Sequence, residues 1–117
     1  MSETKIVFYQ KADGSKPIEE FLDSLDLKMR AKMLRSIGML KENGRNLREP
    51  CSKPLQDGIF ELRAQIGSNI TRVLYFFYIG NTAVLTNGFI KKTQKTPSKE
   101  LEIAKKYRKD YLEKQEV

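Results

Sequence analysis

The sequence predicts an α+β fold: an antiparallel meander of three strands, with helices before and after it. Three observations carry that prediction. Ile59 to Lys92 holds three runs rich in β-branched and aromatic residues, parted by Gly67-Ser68-Asn69 and Gly80-Asn81; short Gly/Asn breaks between such runs are hairpin signals. Apolar residues upstream recur at intervals of three and four, the period of an amphipathic helix. Downstream, Thr96-Pro97 opens another helical pattern, because a hydroxyl can cap a helix and proline is tolerated in its first turn. The predicted order is β–α–α–β–β–β–α, a single domain over residues 1–117.

Taken in order, KIVFY at 5–9 is a short β-prone run that adds a strand to the meander, and Asp13-Gly14-Ser15 is a turn. Pro17 starts a helix on which Ile18, Phe21, Leu22 and Leu25 share a face. Asp26 caps a second helix, lined on one side by Met29, Met33, Ile37 and Leu40 and elsewhere by Lys28, Arg30, Lys32 and Arg35. Gly44 stops it, since glycine accepts the left-handed conformation that closes a helix. These two helices are expected to cover the apolar face of the sheet. Residues 45–58 hold two prolines and no periodicity, which reads as a surface loop. The meander strands are placed at 59–66, 70–79 and 82–90. After Pro97, Leu101, Ala104, Arg108 and Tyr111 recur at helical spacing, and the closing EKQEV is expected to fray.

Within the meander, residues two apart share a face. Phe60, Leu62, Ala64 and Ile66 therefore lie on one side, and Glu61, Arg63 and Gln65 on the other. A two-residue first loop sets Arg63 opposite Leu74 and on the face of Arg72. If residue 79 then pairs with 82 across Gly80-Asn81, Asn87, Phe89 and Lys91 join that face. One surface carries Arg63, Arg72 and Lys91 beside Glu61 and Asn87. The other is apolar: Phe60, Leu62, Val73, Tyr75, Phe77, Ile79, Val84 and Ile90. A three-residue first loop would instead turn Arg72 into the core, where an unpaired charge is very costly. The expectation is a sheet with one core face and one open, cationic working face.

Composition narrows the chemistry. The chain has 117 residues, a net charge of +7, one cysteine and no histidine. The basic balance suggests an anionic partner, though surface charge is often merely solvated. A single cysteine, Cys51, permits no internal disulfide and no Cys-based zinc site; without a histidine to activate it, it reads as an incidental thiol. Without histidine, serine-triad and Cys–His mechanisms are excluded, so acid–base chemistry falls to Lys, Arg, Glu, Asp, Tyr, backbone or water. No apolar run reaches the ~18 residues of a membrane span. The N-terminus lacks the basic-then-apolar layout of a signal peptide, so the expected location is the cytoplasm, with no membrane partner.

Six fragments, in order, carry a resemblance: KPIEEFL at 16–22, REPCSKPL at 48–55, GIFELR at 58–63, TRVLYFF at 71–77, NGFIKKTQKTP at 87–97 and EIAKKYRKDY at 102–111. Together they resemble the phage-derived, HigB-like branch of the RelE/ParE toxin superfamily, over nearly the whole chain. The resemblance implies a RelE-like, microbial-RNase-like fold, with two N-terminal helices on one face of a twisted antiparallel sheet and a C-terminal helix. It also implies the toxin of a type II toxin–antitoxin pair that cuts mRNA on the ribosome without metal or cofactor. The implied partners are a helix-turn-helix, HigA-like antitoxin, mRNA and the ribosome, with operator DNA reached only through the antitoxin.

Metal-free RNA cleavage proceeds by attack of a 2′-hydroxyl on the adjacent phosphate, and fixed cations suit the charge that builds on the phosphoryl oxygens. Arg63, Arg72 and Lys91 or Lys92 are the candidate clamp; Arg72 matches the central arginine of the superfamily, and Lys91-Lys92 its basic pair. Two roles stand open for Glu61: accepting the 2′-hydroxyl proton, or holding Arg63 or Arg72 by an ion pair. A lysine among other cations could also serve as base, since like charges disfavour its protonated form. Lys92, Asn87, Lys95 and Tyr111 are the candidate RNA contacts, and Tyr111, like Tyr107, can stack on a base or pack the last helix. Asn87 stands where many relatives of this type have histidine, and an amide cannot shuttle a proton near neutral pH. Two further readings remain: a toxin-fold protein that binds its partner without cleaving, and a gyrase-directed toxin of the ParE type.

Overall fold

The computed structural model describes residues 3–91 and 96–115. Its elements are β1 (Lys5–Phe8), α1 (Pro17–Ser24), α2 (Leu27–Asn43), a 3-10 turn (Gly44–Asn46), β2 (Ser52–Pro54), β3 (Phe60–Ile66), β4 (Asn69–Tyr78), β5 (Thr82–Lys91) and α3 (Ser98–Lys114). The architecture is α+β, a five-stranded mixed sheet with three helices, consistent with a RelE-like fold.

Local chemistry explains most boundaries. Pro17 occupies the first turn of α1. The Asp26 side chain accepts a hydrogen bond from the Met29 amide at 2.9 Å, the cap expected for α2. Gly44, at φ +52°, ends that helix by donating its N–H to the Leu40 carbonyl. The third helix departs from expectation at its start. It begins at Ser98, preceded by extended Pro97, and the Thr96 hydroxyl donates to the Glu61 carboxylate instead of capping. It also runs to Lys114, into the tail expected to fray.

Two expectations about the sheet are corrected. Its order is β1-β5-β4-β3-β2, and β1 pairs parallel with β5, Lys5 opposite Thr82 and Phe8 opposite Leu85, so the sheet is mixed and not wholly antiparallel. The connection from β1 to β5 runs through α1, α2 and strands β2 to β4, and parallel neighbours need a long connection of this kind. The stretch read as loop at 45–58 also contributes the edge strand β2, whose residues Ser52–Pro54 pair with Leu62, Glu61 and Phe60. Pro54 has no N–H to donate, which an edge strand tolerates.

The register is where the sequence argument meets its sharpest test. The loop between β3 and β4 is the two-residue Gly67-Ser68, and it sets Arg63 opposite Arg72, not opposite Leu74. A shift of two residues keeps the face, so Arg63 and Arg72 still share a side. Between β4 and β5, Tyr78 pairs with Thr82 across a three-residue loop, not residue 79 with 82. Further along, Val73 pairs with Gly88 and Tyr75 with Leu85, so Thr86 and Asn87 together stand opposite Leu74, a β-bulge. The extra loop residue and the extra bulge residue cancel, and Arg72 meets Phe89 as the simpler register required. They do not cancel on the turn side of the bulge. Val84 consequently lies with Leu74 and Phe76, not with the apolar set to which it was assigned. Ile79 and Ile90, also assigned to the core, are 79% and 53% exposed.

Two cores result. On one face α1 and α2 bring Ile18, Leu22, Met29, Met33 and Leu40 against Leu62, Val73, Tyr75 and Leu85. On the other, Leu101 and Ala104 of α3 close over Tyr9, Ile59, Leu74, Phe76, Val84 and Phe89. Both faces of the sheet are covered, so the cationic face is not open. Parity alone placed the arginines there; the third helix and the segment leading into it decided what covers them.

Candidate active site

β3 and β4 present Glu61, Arg63 and Arg72 from one face, Arg63 directly opposite Arg72 and Glu61 opposite Leu74. The Glu61 carboxylate is fully buried and organises the cluster. Its Oε2 accepts from Arg63 Nε, and its Oε1 from Thr96 Oγ1 and, at 3.4 Å, from Arg72 Nη1. A buried carboxylate holding two guanidiniums and a hydroxyl has its charge neutralised and its lone pairs engaged.

The two arginines differ in access. Arg72 is completely buried, whereas the Arg63 side chain keeps 19% of its surface exposed. Burial pulls the Arg72 guanidinium below its ordinary value, Glu61 opposes that, and the neighbouring Arg63 charge adds to the lowering. Arginine stays protonated across the biological range regardless. Arg63 is thus the member of this trio that reaches solvent, and Arg72 stands behind the carboxylate as its second partner.

Asn87, at the bulge, is also buried and points toward α3. Its amide donates to the Glu100 carbonyl at 3.2 Å and to Glu100 Oε1 at 3.1 Å, and Thr86 Oγ1 lies 2.7 Å from its Oδ1. This locks β5 to the first turn of α3. Lys91 closes β5 opposite Ile70; Lys92 and Lys95 lie outside the described residues. Tyr111 is elsewhere, packed edge-on against Phe76 and Tyr78 with ring centroids 5.8 and 5.3 Å away, and burial raises its phenol pKa. Tyr107 stacks on Tyr9 at 4.6 Å. The structure therefore brings Glu61, Arg63 and Arg72 together, sets Asn87 beside them in a structural bond to α3, and keeps Tyr111 at the far end.

Sequence reasoning missed Thr96 and Glu100, which fasten the end of the basic segment and the start of α3 to the cluster. The local signal at Thr96 pointed to capping, and nothing local marks a hydroxyl for a carboxylate 35 positions away. It also read Arg30 as surface charge, whereas that guanidinium donates to the Leu22, Asp23 and Leu25 carbonyls and finishes the C-terminal end of α1.

A family model described as phage derived protein Gp49-like (DUF891) matches residues 20–109, which include every residue of the cluster. No curated protein matches the chain.

Proposed function

We propose, on the premise that this chain belongs to the phage-derived Gp49-like family, that it is a toxin cutting mRNA on the ribosome, neutralised by a helix-turn-helix antitoxin of the HigA type. The family is a RelE/HigB-like toxin family associated with toxin–antitoxin systems. The observation that carries the nuclease reading is Arg63: a partly exposed arginine side chain on a strand, held by a buried carboxylate.

In this reading the 2′-oxygen attacks phosphorus, the bond from phosphorus to the 5′-oxygen breaks, and the products end in a cyclic phosphate and a 5′-hydroxyl. Arg63 holds the phosphoryl oxygens, whose charge grows in the transition state. Glu61 serves as its holder, since Arg63, Arg72 and Thr96 already occupy the carboxylate. Arg72 pairs with that carboxylate from the buried side. The basic stretch from Lys91 to Lys95 adds phosphate affinity without sequence information, and its flanks, Lys91 and Thr96, are bonded into this corner.

The test is primer extension on a reporter mRNA in a reconstituted translation system, with ribosomes present and absent. The expected result is in-frame cutting by the wild-type chain only with ribosomes, and a loss of about 100-fold or more in Arg63→Ala, the scale of removing one oxyanion-binding donor. No cutting by folded wild-type protein overturns the reading. A second reading draws on the burial of Glu61 and Arg72: a toxin-fold protein that binds its antitoxin and, through it, operator DNA, without cleaving. That reading predicts no cuts under either condition and a stable complex with the antitoxin.

A further inference from the structure

Helix α2 has two apolar stripes, and the fold uses one. Met29, Met33, Ile37 and Leu40 are buried against the sheet. Leu27, Ala31, Leu34 and Gly38 recur at intervals of four, three and four on the side turned away from it, and none of the four is buried. Leu27 is 78% exposed and Leu34 49%. A Cβ added at Gly38 would meet nothing within 4 Å, so the ridge is open along its length. Exposed leucines at this spacing form the seam that a second helix packs against, and small residues between them let it approach closely.

Charge selects the occupant. The helix carries five cations, Lys28, Arg30, Lys32, Arg35 and Lys41, and one acid, Glu42. Arg30 and Lys32 are engaged by backbone carbonyls of this chain, but the Lys28, Arg35 and Lys41 side chains join no ion pair among the described residues. A second copy of the chain would bring the same cations against them, and like charges across an interface are unfavourable. RNA phosphates would satisfy the cations and leave Leu27 and Leu34 in water. An amphipathic helix with an apolar stripe and acidic flanks satisfies both. We infer that the outer face of α2 docks such a helix, supplied by the partner protein; the partner's identity rests on the toxin–antitoxin reading above.

The probe is a synthetic amphipathic helical peptide with a leucine stripe and glutamate flanks, titrated calorimetrically into the full-length wild type, Leu34→Asp and the pair Lys28→Glu/Arg35→Glu. Leu34 is a surface residue, so its variant should melt at the wild-type temperature. The expected result is a loss of about 30-fold or more in affinity for Leu34→Asp, the weight of an interface hot spot. The charge pair should lose about tenfold and most of the salt dependence. Wild-type affinity in Leu34→Asp, or no binding of the probe to the wild-type chain, overturns the inference. So does a Leu34→Asp variant that keeps the probe but loses ribosome association, which would make this face an RNA surface. Cleavage by Leu34→Asp without the probe should match wild type, so a failed nuclease reading and a failed docking surface leave different patterns.

Discussion

Replacing Arg72 by alanine tests whether the buried end of the cluster holds the fold together or performs chemistry. An arginine on an open face would be removed at little cost to folding. Here Arg72 and Glu61 are both fully buried and paired at 3.4 Å. Breaking a buried ion pair by deleting one partner costs about 3–5 kcal/mol, because the other charge stays behind. Arg63 and Thr96 remain on Glu61, which places the expected loss near the lower bound, about 3 kcal/mol. For a domain of this size that lowers the melting temperature by about 12 °C, at ~4 °C per kcal/mol. The assay is urea denaturation followed by far-ultraviolet circular dichroism and tyrosine fluorescence, the chain having no tryptophan. The double variant Arg72→Met/Glu61→Gln should recover part of the loss, since it removes both charges and keeps the volume. A loss below about 1 kcal/mol in Arg72→Ala, the ceiling for an exposed ion pair, with an unchanged urea slope, would refute the reasoning and place Arg72 within reach of solvent. Reduced toxicity of this variant, taken alone, cannot be credited to catalysis.

Three other outcomes follow from the geometry. Thr96→Val removes a hydroxyl donating to a buried carboxylate and should cost about 1.5–3 kcal/mol by the same denaturation assay. Gly88→Ala places a Cβ inside van der Waals distance of the Phe21 ring and should destabilise by about 1–3 kcal/mol, with Phe21→Leu in the same chain relieving part of it. The Tyr9 hydroxyl, 2.5 Å from Asp110, and Lys114 hold that carboxyl below its ordinary 3.8. Its contribution is therefore present above that pH and is lost as pH falls through the lowered value. Asp110→Asn should melt below wild type at pH 7, with the gap closing on acidification below 3.8; a constant gap down to pH 2 would refute the assignment.

Much of the local structure was legible in the residues themselves. Asp26 and Gly44 mark the ends of α2 because a cap and a left-handed stop are satisfied within a few residues. The meander follows from β-prone runs cut by glycine-bearing turns, and the two-residue loop at Gly67-Ser68 puts Arg63 and Arg72 on one face by parity. Within the candidate site, Glu61, Arg63 and Arg72 could be picked out together for that reason, whereas Thr96 and Glu100 could not, because their partners lie far along the chain.

Three features belong to the tertiary structure alone. The parallel seat of β1 beside β5 depends on which sheet edge is free after the helices cross. The bulge at Thr86 and Asn87 compensates a loop one residue longer than the turn required, and only pairing with β4 reveals it. Most consequentially, α3 and Thr96 just ahead of it close over the cationic face, turning Arg72 and Glu61 from a working surface into a buried pair with Arg63 at its rim. Periodicity states which side chains share a face; whether that face meets water depends on what the rest of the chain brings to it.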